Sequence, residues 1–216
     1  NYLLNTINQV LLLIVPLITT PYLSRVLEPD GIGVFSYRSS ITAYFVLFAN
    51  LGISCYGQRA ISYCQEDKKR RSITFWETTV LKAFSSCIAL FIYVVMASKS
   101  DSKILYYIMS LNIISNLFDI SWLYQGIEDF KSIAIRNLFF KILNVICIFI
   151  FVKEKNDLYT YTFISYGGMA LNSLSLWFGL NKYLSFVPLN QLHPLKKLPV
   201  VLSLFAPTIA IEIYTV

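Results

Sequence analysis

A chain of 216 residues that is 56% hydrophobic and 14% charged, with a mean hydropathy of +0.60, lacks the charge to cover a water-soluble surface, since charged residues ordinarily supply about a quarter of a globular protein. Its net charge of +6 is scattered over short loops with no RNA-binding or helix-turn-helix pattern around them, which argues against a nucleic-acid partner. Apolar runs of about 20 residues recur along the sequence, each able to cross roughly 30 Å of hydrocarbon, so the expected class is an all-α, polytopic membrane helix bundle.

The chain opens at Asn1 without a methionine and without a cleavable signal pattern, so a few residues are expected to be missing and the first run to stay in the protein. That run, about Leu3 to Ser24, sets Asn5, Gln9, Pro16 and Thr20 on one helical face, and its two prolines, Pro16 and Pro21, predict a bent helix beside a cavity. A turn at Glu28-Pro29-Asp30-Gly31 leads to the second run, about Gly33 to Cys55, with Ser36, Ser40, Ala43, Asn50 and Ser54 on one stripe. Two readings of this stripe stand open, close helix packing and cavity lining.

The third run, about Ile73 to Ala97, follows the charged loop Arg59 to Ser72 and contains Glu77 and Lys82. The fourth, about Ile104 to Tyr124, places Asn112, Ser115, Asn116 and Asp119 on one side; the fifth, about Ile133 to Val152, carries Arg136, Lys141 and Asn144 in its first half. The sixth spans about Leu158 to Asn181, with Gly167-Gly168 read as a packing contact. Residues 1–182 are thus expected to hold six helices, 183–198 a loop, and 199–216 the start of a seventh helix cut inside a span.

Orientation follows from Lys and Arg. The second, fourth and sixth loops and adjoining helix ends hold ten (Arg59, Lys68, Lys69, Arg70, Arg71, Lys131, Arg136, Lys182, Lys196, Lys197); the first, third and fifth hold five (Arg25, Lys99, Lys103, Lys153, Lys155). Positive residues favour the cytoplasm, which places the even loops and the N-terminus inside.

Ionisable residues within a span cost several kcal/mol if they face lipid, so they are the first candidates for function. At about 1.5 Å of rise per residue, Arg38 lies roughly 8 Å inside the outer end of its run and Lys82 roughly 13 Å inside the inner end of its own, with Arg25 at the outer rim. The candidate cavity lining is Arg25, Arg38, Lys82, Asn50 and Asn116; for Arg25 and Lys141 the plainer reading is a long stem snorkelling to the interface. Asp119 is short, so it is expected to pair with a cation such as Lys82 or Arg136, with Lys141 as a further cavity cation, or to titrate as a coupling group. The single histidine, His193, lies in a loop, and Cys55, Cys64, Cys87 and Cys147 form no CxxC pair; no cofactor, metal site or catalytic constellation is expected.

Several blocks resemble the Wzx-type O-antigen and capsule flippases of the polysaccharide transport family, relatives of the multidrug and toxic compound extruders. These are Pro21-Tyr22-Leu23-Ser24-Arg25-Val26-Leu27, Gly31-Ile32-Gly33-Val34-Phe35-Ser36-Tyr37, Tyr44-Phe45, Leu51-Gly52-Ile53, Tyr56-Gly57-Gln58-Arg59, Phe75-Trp76-Glu77, Asp119-Ile120-Ser121-Trp122-Leu123-Tyr124-Gln125-Gly126-Ile127-Glu128, and Ala206-Pro207 leading to Ile213-Tyr214. The resemblance implies two lobes of helices related by an axis along the membrane normal, of which this chain holds the first and the start of the second.

It also implies that rocking of the lobes carries a lipid (undecaprenyl) diphosphate-linked oligosaccharide across the bacterial cytoplasmic membrane for O-antigen or capsule synthesis. Membrane lipids and other polysaccharide assembly proteins are the further expected partners, and the protein is not expected to be an enzyme. Cations suit a diphosphate, and amides suit a glycan. The alternatives are a cation-coupled multidrug exporter on the same fold and a membrane polysaccharide polymerase or acyltransferase. Glu212 departs from the family, which more often carries a neutral polar residue there, and leaves coupling at that position open.

Overall fold

The computed structural model describes residues 2–100, 102–185, 187–188 and 192–215, with side chains described from 14 to 209. The polar positions Asn5 and Gln9, the acid Glu212 and the pair Ile213-Tyr214 fall outside the described side chains. Among the described residues the chain is all helix: α1 Tyr2–Val26, α2 Glu28–Asn50, α3 Ile53–Tyr63, α4 Lys68–Ser98, α5 Lys103–Phe118, α6 Ser121–Gly126, α7 Phe130–Phe151, α8 Leu158–Ser175 and α9 Leu198–Thr215. Among the described residues four stretches are long and apolar enough to cross a membrane: Glu28–Tyr63, Lys68–Ser98, Lys103–Gly126 and Phe130–Phe151. The chain is therefore a multi-pass membrane protein.

Two boundaries differ from the sequence expectation for local reasons. The first turn is tighter than expected, because only Leu27 separates α1 from α2; Glu28 has a positive φ of 58°, and Pro29 with its fixed φ falls in the first turn of α2. The charged run Lys68–Arg71 is helical rather than loop, opened by Asp67, whose carboxylate accepts from the Lys69 and Arg70 amides at 3.0 Å each. An acid at the Ncap offsets the cost of placing four cations at the positive end of a helix.

The runs traverse the bundle in alternation, and the loops meet accordingly. On one face Lys155 pairs with Glu28 at 2.5 Å, the Tyr22 hydroxyl donates to the Val152 carbonyl at 2.6 Å, and Arg38 donates to Ser102 at 2.6 Å. On the other, Lys68 donates to the Asn181 carbonyl at 3.3 Å, Arg71 grips the Tyr183 carbonyl at 2.6 and 3.0 Å, and the Ser185 amide donates to Ser72 at 2.8 Å. The odd loops share one face and the even loops the other. Tyr183 also donates to Asp129, and although burial works against that charge, the Tyr183 and Ser132 hydroxyls and the Ser132 amide hold the Asp129 carboxyl below its ordinary value.

Inside, α5 packs against α8, and α2, α4 and α5 pack against one another. Without water the helices are held by close packing and by hydroxyl contacts. Thr42 meets the Tyr93 hydroxyl at 2.9 Å, Ser115 meets Ser173 at 3.0 Å and Ser39 meets Tyr166 at 2.8 Å. Outward lie large apolar side chains such as Phe84, Phe91, Ile92, Phe139 and Phe163, as expected of a surface solvated by lipid. Of the two glycines expected to pack, Gly168 meets the Asn144 side chain whereas Gly167 faces open space.

Candidate functional site

The second and fourth runs are both interrupted, and the interruptions meet. Leu51 and Gly52 take left-handed backbone conformations (φ 46° and 74°) that end α2 and start α3; Asp119 and Ile120 leave helical geometry between α5 and α6. Glycine adopts such a φ without a Cβ clash, and a Cβ at Gly52 would also lie 3.0 Å from the Leu204 carbonyl of α9. Each interruption strips carbonyls of their helical donors in a region where water is absent, so side chains must supply donors.

Helix α4 supplies two of them. Ser85 donates to the Ala49 carbonyl at 2.5 Å, and Lys82 donates to the Asp119 main-chain carbonyl at 2.8 Å and to the Ser54 hydroxyl at 3.4 Å. Trp177 takes the neighbouring Phe118 carbonyl at 2.7 Å. Lys82 is 1% exposed. Its ammonium sits at the C-terminal end of α5, where the partial negative charge of the helix end favours a cation, and reaches Ser54 in the first turn of α3.

Asn50 belongs to the same cluster, its Oδ1 accepting from the Ser54 amide at 3.3 Å and hydroxyl at 2.8 Å. The Asp119 carboxylate opens α6, accepting from the Ser121 amide at 3.0 Å and hydroxyl at 3.1 Å. No ion pair joins Asp119 to Lys82 or Arg136 among the described residues; the acceptor that Lys82 meets at hydrogen-bond distance is the main-chain carbonyl of Asp119. Beyond the interruptions α3 and α6 touch closely: a Cβ at Gly57 would lie 2.5 Å from the Trp122 ring, and one at Gly126 would lie 2.7 Å from Ile61. The glycines of the Tyr56-Gly57-Gln58 and Gln125-Gly126-Ile127 blocks are thus packing devices.

The remaining predicted cations do not converge on this cluster. Arg25 is exposed at the end of α1. Arg38 is half-buried, bonded to Ser102 and stacked 5.7 Å from the Tyr106 ring centroid, tying α2 to the start of α5. Arg136 lies over Tyr124 and donates to the carbonyls of Ser175 and Phe178 at 2.8 and 3.1 Å, capping the C-terminus of α8. Asn116 keeps a buried Oδ1 without a donor among the described residues. Lys141 and Asn144 line a separate cavity of about 630 Å³ between α1, α2, α7 and α8, and among the described residues no acid lines it with them.

One pocket escaped the sequence reading. At the even-loop face α3, α4 and α9 enclose about 690 Å³ lined by Arg59, Arg70 and Lys197, with Glu77 as its one acid. Glu77 is 5% exposed, accepts from the His193 amide at 2.8 Å and stands 3.9 Å from Lys197. The signal was present in part, because Glu77 is an acid inside an apolar run; the convergence of Arg59 with Lys197, far apart in sequence, was not visible.

Comparison with known proteins gives consistent results. A family profile described as "Polysaccharide biosynthesis protein" matches residues 1–215. A protein of Shigella dysenteriae named "Putative O-antigen transporter" is 25% identical over 205 residues, covering 93% of this chain and 52% of its own length. One of Escherichia coli K12 with the same name is 24% identical over 155 residues, covering 70% of this chain and 37% of its own length. The chain thus spans about half or less of the curated relatives it matches. No solved structure matches.

Proposed function

Because the chain belongs to the polysaccharide biosynthesis protein family, we propose that it forms part of a flippase that moves a lipid diphosphate-linked oligosaccharide across the bacterial cytoplasmic membrane by alternating access. The observation that carries the reading is the even-loop pocket, where three cations face one acid at the face expected to be cytoplasmic. A diphosphate entering there meets the guanidinium groups of Arg59 and of Arg70, the latter also paired with the exposed Asp67 at 3.4 Å, and their planar donor forks suit phosphate oxygens. In this reading the N-terminus is cytoplasmic, the protein is a transporter rather than an enzyme, and the other assembly proteins act on what it delivers.

Lys82, Asn50 and Asp119 then serve as the rigid joint of the bundle, while Arg38 sits near the exit face. Deletion of the gene in its host, followed by complementation with the full-length protein, tests the reading. Surface polysaccharide is expected to disappear on deletion and return with the wild-type gene. An Arg59→Gln, Arg70→Gln double variant that inserts normally is expected to restore less than a tenth of it. Undiminished polysaccharide after deletion would overturn the proposal.

A further inference from the structure

The cavity between α1, α2, α7 and α8 lies apart from both the Lys82 cluster and the even-loop pocket. Asn137, Lys141 and Asn144 stand at spacings of 4 and 3 on one face of α7, opposite Ser165 and Asn172 on α8. Its volume of about 630 Å³ falls in the range of small-molecule sites, and such sites combine apolar walls with a few convergent polar groups.

The hydrogen bonding around it is one-sided. Asn172 donates through Nδ2 to Asn137 Oδ1 at 2.8 Å, and Asn144 donates through Nδ2 to the Ser165 carbonyl at 3.5 Å. The Oδ1 atoms of Asn144 and Asn172 are buried without a donor among the described residues. Leaving such an atom unpartnered is unfavourable, and a ligand donor reached by a turn of the carboxamide would satisfy it. Lys141 supplies the opposite need, an ammonium with three donors and no carboxylate in the lining.

These needs select a ligand class. A metal or organic cation is repelled by Lys141, a lipid tail offers nothing to the polar groups, and a phosphodiester satisfies Lys141 but carries no hydroxyl to donate to the carboxamides. Hydroxyl groups both donate and accept, and the lining aromatic pair Phe35 and Tyr161, 4.9 Å apart, offers an apolar surface to the C–H side of a ring. We propose that this cavity is a saccharide subsite inside the helix bundle, with Lys141 donating to a sugar oxygen and the carboxamides of Asn144 and Asn172 turned to accept from sugar hydroxyls. The proposal rests on the flippase reading and assigns the glycan, not the diphosphate, to this site.

The test uses the full-length protein in lipid nanodiscs and two probes: undecaprenyl diphosphate carrying the host repeat unit, and undecaprenyl diphosphate without sugar. Thermal unfolding of the wild type is expected to shift upward with both, and further with the sugar-bearing probe. In Lys141→Met and Asn172→Leu the sugar-free shift is expected to remain, while apparent affinity for the sugar-bearing probe falls at least tenfold. Asn172→Leu reads the same subsite if Lys141→Met fails to insert. Equal wild-type shifts with the two probes, or variants that keep the full sugar-dependent shift, would overturn the subsite alone. A wild type that responds to neither probe would overturn the flippase reading with it.

Discussion

Two lysines inside apolar runs have opposite surroundings. Lys82 is enclosed where two helices break, with a main-chain carbonyl and a hydroxyl as acceptors; Lys141 is half-buried on an unbroken helix and faces a cavity. The first cation replaces donors that the backbone has lost, so its desolvation is offset by the interactions that hold the bundle together. The second replaces nothing in the fold. Intramembrane charge therefore marks function only where the fold has no use for it.

The contrast can be broken most directly at Lys82. Lys82→Met removes a charged donor and leaves the Asp119 carbonyl unpartnered, for an expected loss of about 3 kcal/mol, read as a lowered unfolding midpoint of the detergent-solubilised full-length protein. An unchanged midpoint would remove the structural reading of this lysine. Next, Gly57→Ala forces a Cβ into the Trp122 ring and is expected to cost about 2 kcal/mol by overpacking, seen in the same assay; Gly33→Ala, which meets nothing within 4 Å, serves as control.

Arg136→Ala uncaps α8, with an expected cost of about 1–2 kcal/mol and faster amide hydrogen exchange confined to the last turn of α8 and the segment after it. A smaller effect belongs to Asp129, whose folded carboxyl is held below its ordinary value of 3.8. A depressed folded value means that its contribution is present above about pH 4 and is lost as pH falls through the folded value. Asp129→Asn is expected to be less stable than wild type at pH 7, with the difference closing under strong acid in parallel unfolding measurements. The smallest change is expected at Lys141→Met, within about 0.5 kcal/mol of wild type; a loss as large as that at Lys82 would erase the contrast.

Most of the helical organisation was legible because burial in lipid demands long apolar runs, and the seven runs correspond to the observed helices with their interruptions. The interruptions were not legible. Asn50 and Asp119 read as cavity polar groups on continuous helices, whereas Asn50 accepts from Ser54 and Asp119 opens α6; nothing in local periodicity distinguishes a polar residue facing a cavity from one facing a gap in its own backbone. The stripe Asn137, Lys141 and Asn144 was visible at helical spacing, but its counterpart Asn172 needed α8 beside it.

By itself the sequence determined the solvent of this protein, the alternation of its helices and its family, since each depends on composition, run length or linear blocks. Only the tertiary structure decided what each charge meets. Hydrogen-bond partners are set within about 3 Å by helices distant along the chain, and so Lys82 became a joint, Arg136 a cap, and Lys141 the cation left facing a cavity.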